Sequence, residues 1–328
     1  MRTAITAALA VGLALFGVVA GAGPDHAAAA GATSAGAGAA APAWNAPHVG
    51  TVKGLVTGAA ARTGMAKAEQ AFTAAHERTA AAESAGTAGA PAPVSAAAAT
   101  STYVHKWWGV KLTTGSATVS GVQATHSVDA ALRLTDASDY LYSPTTKPRQ
   151  GACIESTTAY SHTYAQLWAW DWCASSPGIG VRLTIDSAFL SRYTTLVNGV
   201  PSYNLQILQT DATANTWTAY LYDYQTAAWE AYYTSSGTDG ATATFGWDEF
   251  EFYSYLDTDG ETYLCDGFAG HSTQSSNLRI RTGTGTWANA TPANTTVYPS
   301  TTPSPSDYYC DSLNFTTVTA NTHWKVSE

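Results

Sequence analysis

Two stretches of this chain alternate large aromatic side chains with hydrogen-bonding groups at a spacing of two. In Tyr164–Cys173, one parity carries Tyr164, Gln166, Trp168, Trp170 and Trp172, and the other Ala165, Leu167, Ala169, Asp171 and Cys173. In Trp247–Leu256 the division sets Trp247, Glu249, Glu251, Tyr253 and Tyr255 against Asp248, Phe250, Phe252, Ser254 and Leu256. Successive side chains of a strand point to opposite faces, so parity assigns them. The sets holding Leu167 and Phe250 suit a sheet interior. Glu249 and Glu251 do not, because burying an unpaired charge is costly. The expectation is a wetted, concave sheet surface where indoles from one strand meet acids from another.

Flat rings beside carboxylates and amides suit sugars, whose C–H faces pack on indoles while the polar groups bind hydroxyls. Trp168, Trp170, Trp172, Glu249, Glu251, Tyr253 and Tyr255 are thus the expected ligand-binding residues, with a polysaccharide or cell-wall glycan as partner. Two blander placements compete. The tryptophans also fit the inner layer of a two-sheet sandwich, and the glutamates a solvated edge.

The elements that must position these residues are strands. From residue 101 to 328 the chain is dense in Thr, Tyr, Trp, Val and Ile, broken by Gly, Asp, Asn and Pro about every ten residues. This predicts an all-β fold, one antiparallel β-sandwich domain. Expected strands include Tyr103–Leu112, Ala117–Ala124, Ala130–Leu134, Ser161–Trp172, Gly180–Ile185, Tyr203–Thr210, Thr216–Tyr224, Ala228–Thr234, Thr242–Tyr255, Leu278–Thr282 and Phe315–Val318. Residues 23–100 are Ala, Gly, Thr, Ser and Pro almost without aromatics, too poor in apolar surface to offset their conformational entropy. Within them, residues 64–84 predict a short Ala-rich helix around Phe72, either a linker or part of a pro-segment.

Arg2, the apolar run Ala4–Ala20 and the small residues after it read as a secretory signal peptide over residues 1–22. Lack of a flanking Lys/Arg anchor sets this reading above a membrane span. The chain is therefore expected outside the cell, without stable membrane insertion. Cys153, Cys173, Cys265 and Cys310 fit two disulfides in that setting; nearest-neighbour pairing, Cys153–Cys173 and Cys265–Cys310, is favoured over the other two pairings. With 15 basic and 24 acidic residues the net charge is −9, which argues against nucleic acid as a partner.

Trp247-Asp248-Glu249-Phe250-Glu251-Phe252 resembles the catalytic strand of laminarinase- and lichenase-type glucanases, Glu-x-Asp-x-Glu-Phe. The resemblance implies a concanavalin-like jelly roll, with Glu251 at the acid/base position and Glu249 at that of the intervening Asp. Trp247 stands where the nucleophile belongs. Retaining hydrolysis needs two carboxyl groups, so the likeness reaches the fold and not that activity.

The order from Gln166 to Tyr253 is similar to that of secreted glutamic peptidases and the neprosin group. It runs from Trp168-Ala169-Trp170-Asp171-Trp172 through hairpins containing Thr216-Trp217-Thr218 and Gln225-Thr226 to the acidic strand. That resemblance implies a β-sandwich using a Glu with a Gln or second Glu on the sheet surface. Here Glu251 would be the general base, with Gln166 orienting water and oxyanion. The family's acid in the aromatic strand has only Asp171 as a counterpart, on the interior face. The competing readings are thus a glycan-binding protein, an acid-acting peptidase made with a pro-segment, and a structural cell-surface protein.

Other motifs fall away. Gly270-His271-Ser272-Thr273-Gln274 lacks the last Gly of a nucleophile elbow. His105, His126, His162, His271 and His323 show no metal-ligand spacing. No cofactor is expected. Calcium at Asp257 and Asp259 is the one cation site worth naming, and an Asp-Gly turn is its simpler reading.

Overall fold

The computed structural model describes residues 103–113, 119–241 and 243–328. The expected signal peptide, the Ala/Gly-rich segment and its short helix lie outside the described residues. In chain order the strands begin with β1 (Tyr103–Leu112), β2 (Val119–Ser127), β3 (Tyr140–Lys147), β4 (Ile154–Tyr160), β5 (Ala165–Asp171) and β6 (Gly178–Thr184). A short helix α1 (Ser187–Tyr193) precedes β7 (Thr194–Val197), β8 (Val200–Asp211), β9 (Thr216–Asp223), β10 (Ala228–Ser236) and β11 (Gly246–Tyr255). Helix α2 (Tyr263–Phe268) leads to β12 (Ser272–Thr282), β13 (Trp287–Asn289), β14 (Thr295–Tyr298), β15 (Asn314–Thr319) and β16 (His323–Ser327).

These strands form two antiparallel sheets, a β-sandwich. The seven-stranded sheet runs β14-β1-β11-β3-β4-β5-β6 and the nine-stranded sheet β10-β9-β8-β2-β12-β16-β15, with β7 on β8 and β13 on β12. Alternation fills the space between them. Leu167 and Ala169 of β5, Phe250 and Phe252 of β11, and Leu205 and Ile207 of β8 belong to one buried apolar core. Both disulfides pair nearest neighbours, Cys153–Cys173 and Cys265–Cys310.

Polar groups inside this core bind across it. Asp171 accepts hydrogen bonds from Tyr233 Oη and Ser235 Oγ of β10, each at 2.7 Å. Asp248 accepts from Trp324 Nε1 at 2.7 Å and faces His126 Nε2 at 3.0 Å. Tyr203 Oη meets Thr158 Oγ1 at 2.6 Å. A buried acid tied to partners on the facing sheet keeps the layers from sliding, since breaking either bond strands a polar group in apolar surroundings.

One expectation needs correction, and the structure adds elements on which the sequence was silent. Ala130–Leu134 is a turn, not a strand, because the Asp129 carboxylate captures the amides of Ala131 and Leu132 at 2.9 and 3.2 Å. Strands β3 and β4, absent from the sequence reading, occupy the middle of the seven-stranded sheet. Helix α1 interrupts the run of strands because Asp186 caps it, accepting from Phe189 N at 2.9 Å.

Candidate functional site

The seven-stranded sheet has a second face, turned away from the sandwich core, and register fixes what meets there. One row across the strands runs Trp168, Thr157, Thr145, Glu249 and Gly109, from β5 through β4, β3 and β11 to β1. The row on one side carries Trp170 beside Glu155, then Lys147, Trp247 and Lys111. The row on the other side carries Gln166, Ala159, Tyr142, Glu251 and Trp107. Beyond it lie Tyr140, Tyr253 and His105. Between Trp168 and the edge, the middle row holds two threonines, a glutamate and a glycine, while bulky side chains stand on both sides. We call this row of small side chains between bulky ones a trough; Glu249 is its one partly exposed member, the rest of the row being buried.

Gly109 is what lets β1 and β11 close at that floor. A Cβ at position 109 would run into the Asp248 carbonyl and come within 2.5 Å of Glu249 Cα and 2.7 Å of Glu249 Cβ. Gly109→Ala should therefore push the strands apart at Glu249 and cost about 1–3 kcal/mol, as overpacking does. Urea denaturation of both proteins checks this; an unchanged midpoint would mean that the strands yield without strain.

Glu155 leans from its own row toward the trough. Its Oε1 accepts from Thr145 Oγ1 at 2.5 Å and Trp247 Nε1 at 3.0 Å, and its Oε2 from Trp172 Nε1 at 3.0 Å. Thr145 is the residue directly opposite Glu249, so this hydrogen bond carries the Glu155 carboxyl to the strand beside it. Burial pushes the Glu155 carboxyl above its ordinary pKa, against the pull of those three donors and the Lys147 charge. Lys147 is itself buried, bonded to Asp239 at 2.8 Å and flanked by the rings of Trp172 and Trp247. Burial lowers its pKa and Asp239 opposes that.

Glu251 has a different shell. Its Oε1 accepts from Tyr253 Oη at 2.5 Å and lies 2.6 Å from His105 Nε2. The His105 ring stacks on Tyr253 at 4.2 Å. Burial and the Glu251 charge both raise the Tyr253 phenol, which stays protonated and able to donate.

The structure thus brings Trp168, Trp170, Trp172, Glu249, Glu251 and Tyr253 to one face, but not as an open, wetted surface. Trp168, Trp170 and Tyr253 are 0% exposed, and Glu251 only 1%; Glu249 and Tyr255 are partly exposed. The indoles are not inside the sandwich either. They form a second apolar cluster with Tyr140, Tyr142 and Trp247, against which Ala241, Ala243 and Phe245 pack. Rings shield one another at 5.4 Å (Tyr142–Trp168) and 5.9 Å (Trp170–Trp172). Gln166 shares a row with Glu251 but lies three strands away, about 14 Å at the usual strand spacing. Its Oε1 accepts from Trp168 Nε1 at 2.8 Å, so it holds an indole rather than sharing a water with Glu251. Asp171 faces the core, as its parity requires. Asp257 spends Oδ1 on the amides of Asp259 and Glu261 at 2.8 and 2.9 Å, an Asp-Gly turn.

Glu155, Lys147 and Thr145 were not singled out in the sequence, and His105 only as a histidine without metal-ligand spacing. The signal for Glu155 was present: Ile154-Glu155-Ser156-Thr157-Thr158-Ala159-Tyr160 is a β-branched run with one acid at the parity of Thr157 and Ala159. Taken together, a partly exposed carboxylate beside a carboxyl whose burial favours the neutral form can do acid–base work. One removes a proton while the other donates a hydrogen bond.

No known protein family and no curated protein matches the chain. Among solved structures, the fold is similar to scytalido-glutamic peptidase with a transition state analog inhibitor, at 12% identity and a TM-score of 0.39, over 67% of this chain and 97% of that one. It is also similar to the same peptidase with a peptide based transition state analog, at 12% identity and TM-score 0.37, over 69% and 99%. A third likeness is to SCP-B, a member of the eqolisin family of peptidases, with the tripeptide Ala-Ile-His, at 13% identity and TM-score 0.38, over 69% and 99%. Likenesses this distant decide nothing about activity.

Proposed function

We propose that this protein is an exported, acid-acting peptidase of the glutamic type, with Glu249 as general base and Glu155 as its neutral partner. The observation that carries this is the Glu155–Thr145 hydrogen bond of 2.5 Å, which sets a buried carboxyl beside the strand position of Glu249. Glu249 takes a proton from water as the oxygen attacks the carbonyl of the bound peptide. Protonated Glu155 donates to the developing oxyanion, and the proton held by Glu249 passes to the leaving nitrogen. Two carboxyl groups in unlike surroundings suit these unlike roles.

Glu251 then holds His105 and Tyr253 on the far wall of the trough, a positioning role rather than the base role that the family resemblance implies. The paired disulfides support export. A glycan reading of the same face has less support, because the buried Trp168 and Trp170 present no open ring to a sugar.

The test is digestion of an acid-denatured protein substrate by the purified chain from pH 2 to 7. Proteolysis is expected below about pH 5, and Glu249→Gln should lower its rate by about 10²–10⁴-fold, the range for removing a general base. Circular dichroism establishes that the variant is folded. A folded Glu249→Gln protein as active as the parent, or a parent inactive throughout, overturns the proposal.

A further inference from the structure

The nine-stranded sheet also has an outward face. Tyr203, Leu205 and Ile207 of β8, and Trp217, Ala219 and Leu221 of β9, enter the core, so their alternates point away from it. Register aligns those alternates into a row across six strands: Ala231, Tyr220, Gln206, Gln123, Arg279 and Asn289. A parallel row holds Thr234, Thr218, Leu208, Gly121, Arg281 and Trp287. On the other side Trp229 lies beside Tyr222, and their rings meet at 5.4 Å.

Three properties of this face point to one kind of ligand. It has amides with capacity to spare. Gln206 Nε2 donates to Gln123 Oε1 at 2.9 Å, which leaves Gln206 Oε1 and Gln123 Nε2 without a partner among the described residues. A carbonyl and an amino group side by side match a hydroxyl pair, which must both donate and accept. Asn204 and Thr125 close the strip on one side, both buried and bonded to each other at 2.6 Å. The face also has partly exposed aromatic plates at both ends, Tyr220 and Trp229 at one and, at the other, Trp287 with the Arg279 guanidinium 5.9 Å from its ring centre. The span from β9 to β13 is about 19 Å at the usual strand spacing, room for several linked sugar rings. Finally, the two rows through Gln206 and Leu208 carry no carboxylate from β10 to β13; Asp211 stands at the hairpin end of β8 opposite Thr216, and the cations Arg279 and Arg281 lie on β12, between the amides and β13.

We propose that this face binds a neutral polysaccharide, with sugar rings stacked on Trp229, Tyr220 and Trp287 and hydroxyls on the Gln206–Gln123 amide row. Aromatic plates on either side of an amide pair, with two arginines on β12 as the charges in those rows, match a polyol without charge. They do not match a phosphate polymer, which needs a line of cations. This binding is independent of the acid site, which lies on the other sheet.

The experiment is affinity electrophoresis of the full chain in native gels cast with laminarin, galactomannan or arabinoxylan. Retardation by at least one of them is expected, with Trp229→Ala weakening it at least tenfold and Gln206→Ala severalfold. Thermal melting of both variants separates lost binding from lost fold, and Gln123→Ala supplies a second amide variant should Gln206→Ala melt early. No retardation by any of the three, or equal retardation of parent and folded variants, overturns the proposal. So does retardation by polygalacturonate alone that Arg279→Ala abolishes, which would assign the face to anions.

Discussion

Glu155→Gln should remain an active peptidase and work at higher pH than the parent, whereas Glu155→Ala should lose activity. The contrast follows from the state in which Glu155 acts. Burial raises its pKa, so the neutral carboxyl persists above the pH at which an ordinary glutamate ionises, and activity falls only when that raised pKa is passed. Glutamine is neutral at every pH and keeps one donor and one acceptor in nearly the same place. The alkaline limit should then be set by other groups and move upward. Stability should drop by about 1–3 kcal/mol, because the Gln amide cannot accept from every one of Thr145, Trp172 and Trp247. Rate–pH profiles for parent and both variants check this. Identical alkaline limits for the parent and Glu155→Gln would show that Glu155 does not titrate in the reaction.

A comparable effect on stability is expected at Asp139. This residue is fully buried at the start of β3, beside Ser254, with no well-formed hydrogen bond to either carboxylate oxygen. Burial raises its pKa to about 7 from 3.8. The sign follows from proton counting: below pH 3.8 both folded and unfolded chains hold the proton, and stability is at its fullest. As pH rises the unfolded chain loses the proton first, so stability declines until the folded chain also ionises near 7. A difference of three pKa units corresponds to about 4 kcal/mol. Asp139→Asn should remove this decline, gaining up to that amount at pH 8 and almost nothing at pH 3.5. Urea denaturation at the two pH values measures it. An equal change at both would mean that the Asp139 charge is not what burial penalises. Asp139 and Glu155, whose burial favours the protonated form, both contribute more to stability in acid.

Legible in the sequence were strands with one buried and one less buried face, and also β2 and β5, in which every residue is buried. Tyr103–Leu112 and Thr216–Asp223 announce themselves because apolar and polar residues alternate between clear turns. Strands β3 and β4 do not. Every residue in both is buried, so Ser and Thr appear on either parity and alternation disappears, while Pro144 breaks β3 at a register shift. Losing these two strands hid Glu155 and placed Gln166 too near Glu251, since two intervening strands were left out of the count. Parity itself held, setting Glu249 and Glu251 on one face and Asp248 and Asp171 on the other. What parity does not carry is whether that face is covered, and Trp168 and Trp170 are fully buried on it.

Asp248 and Glu249 are consecutive, so β11 presents them on opposite sides of one sheet. The Asp248 carboxylate is gripped by His126 and Trp324 of the facing sheet, which makes the far layer of the molecule a backing plate for the floor of the trough. Changes at His126 or Trp324 touch no substrate. They loosen the ribbon from behind and let Glu249 drift, so a screen for impaired turnover should recover residues from the layer that never sees the reaction.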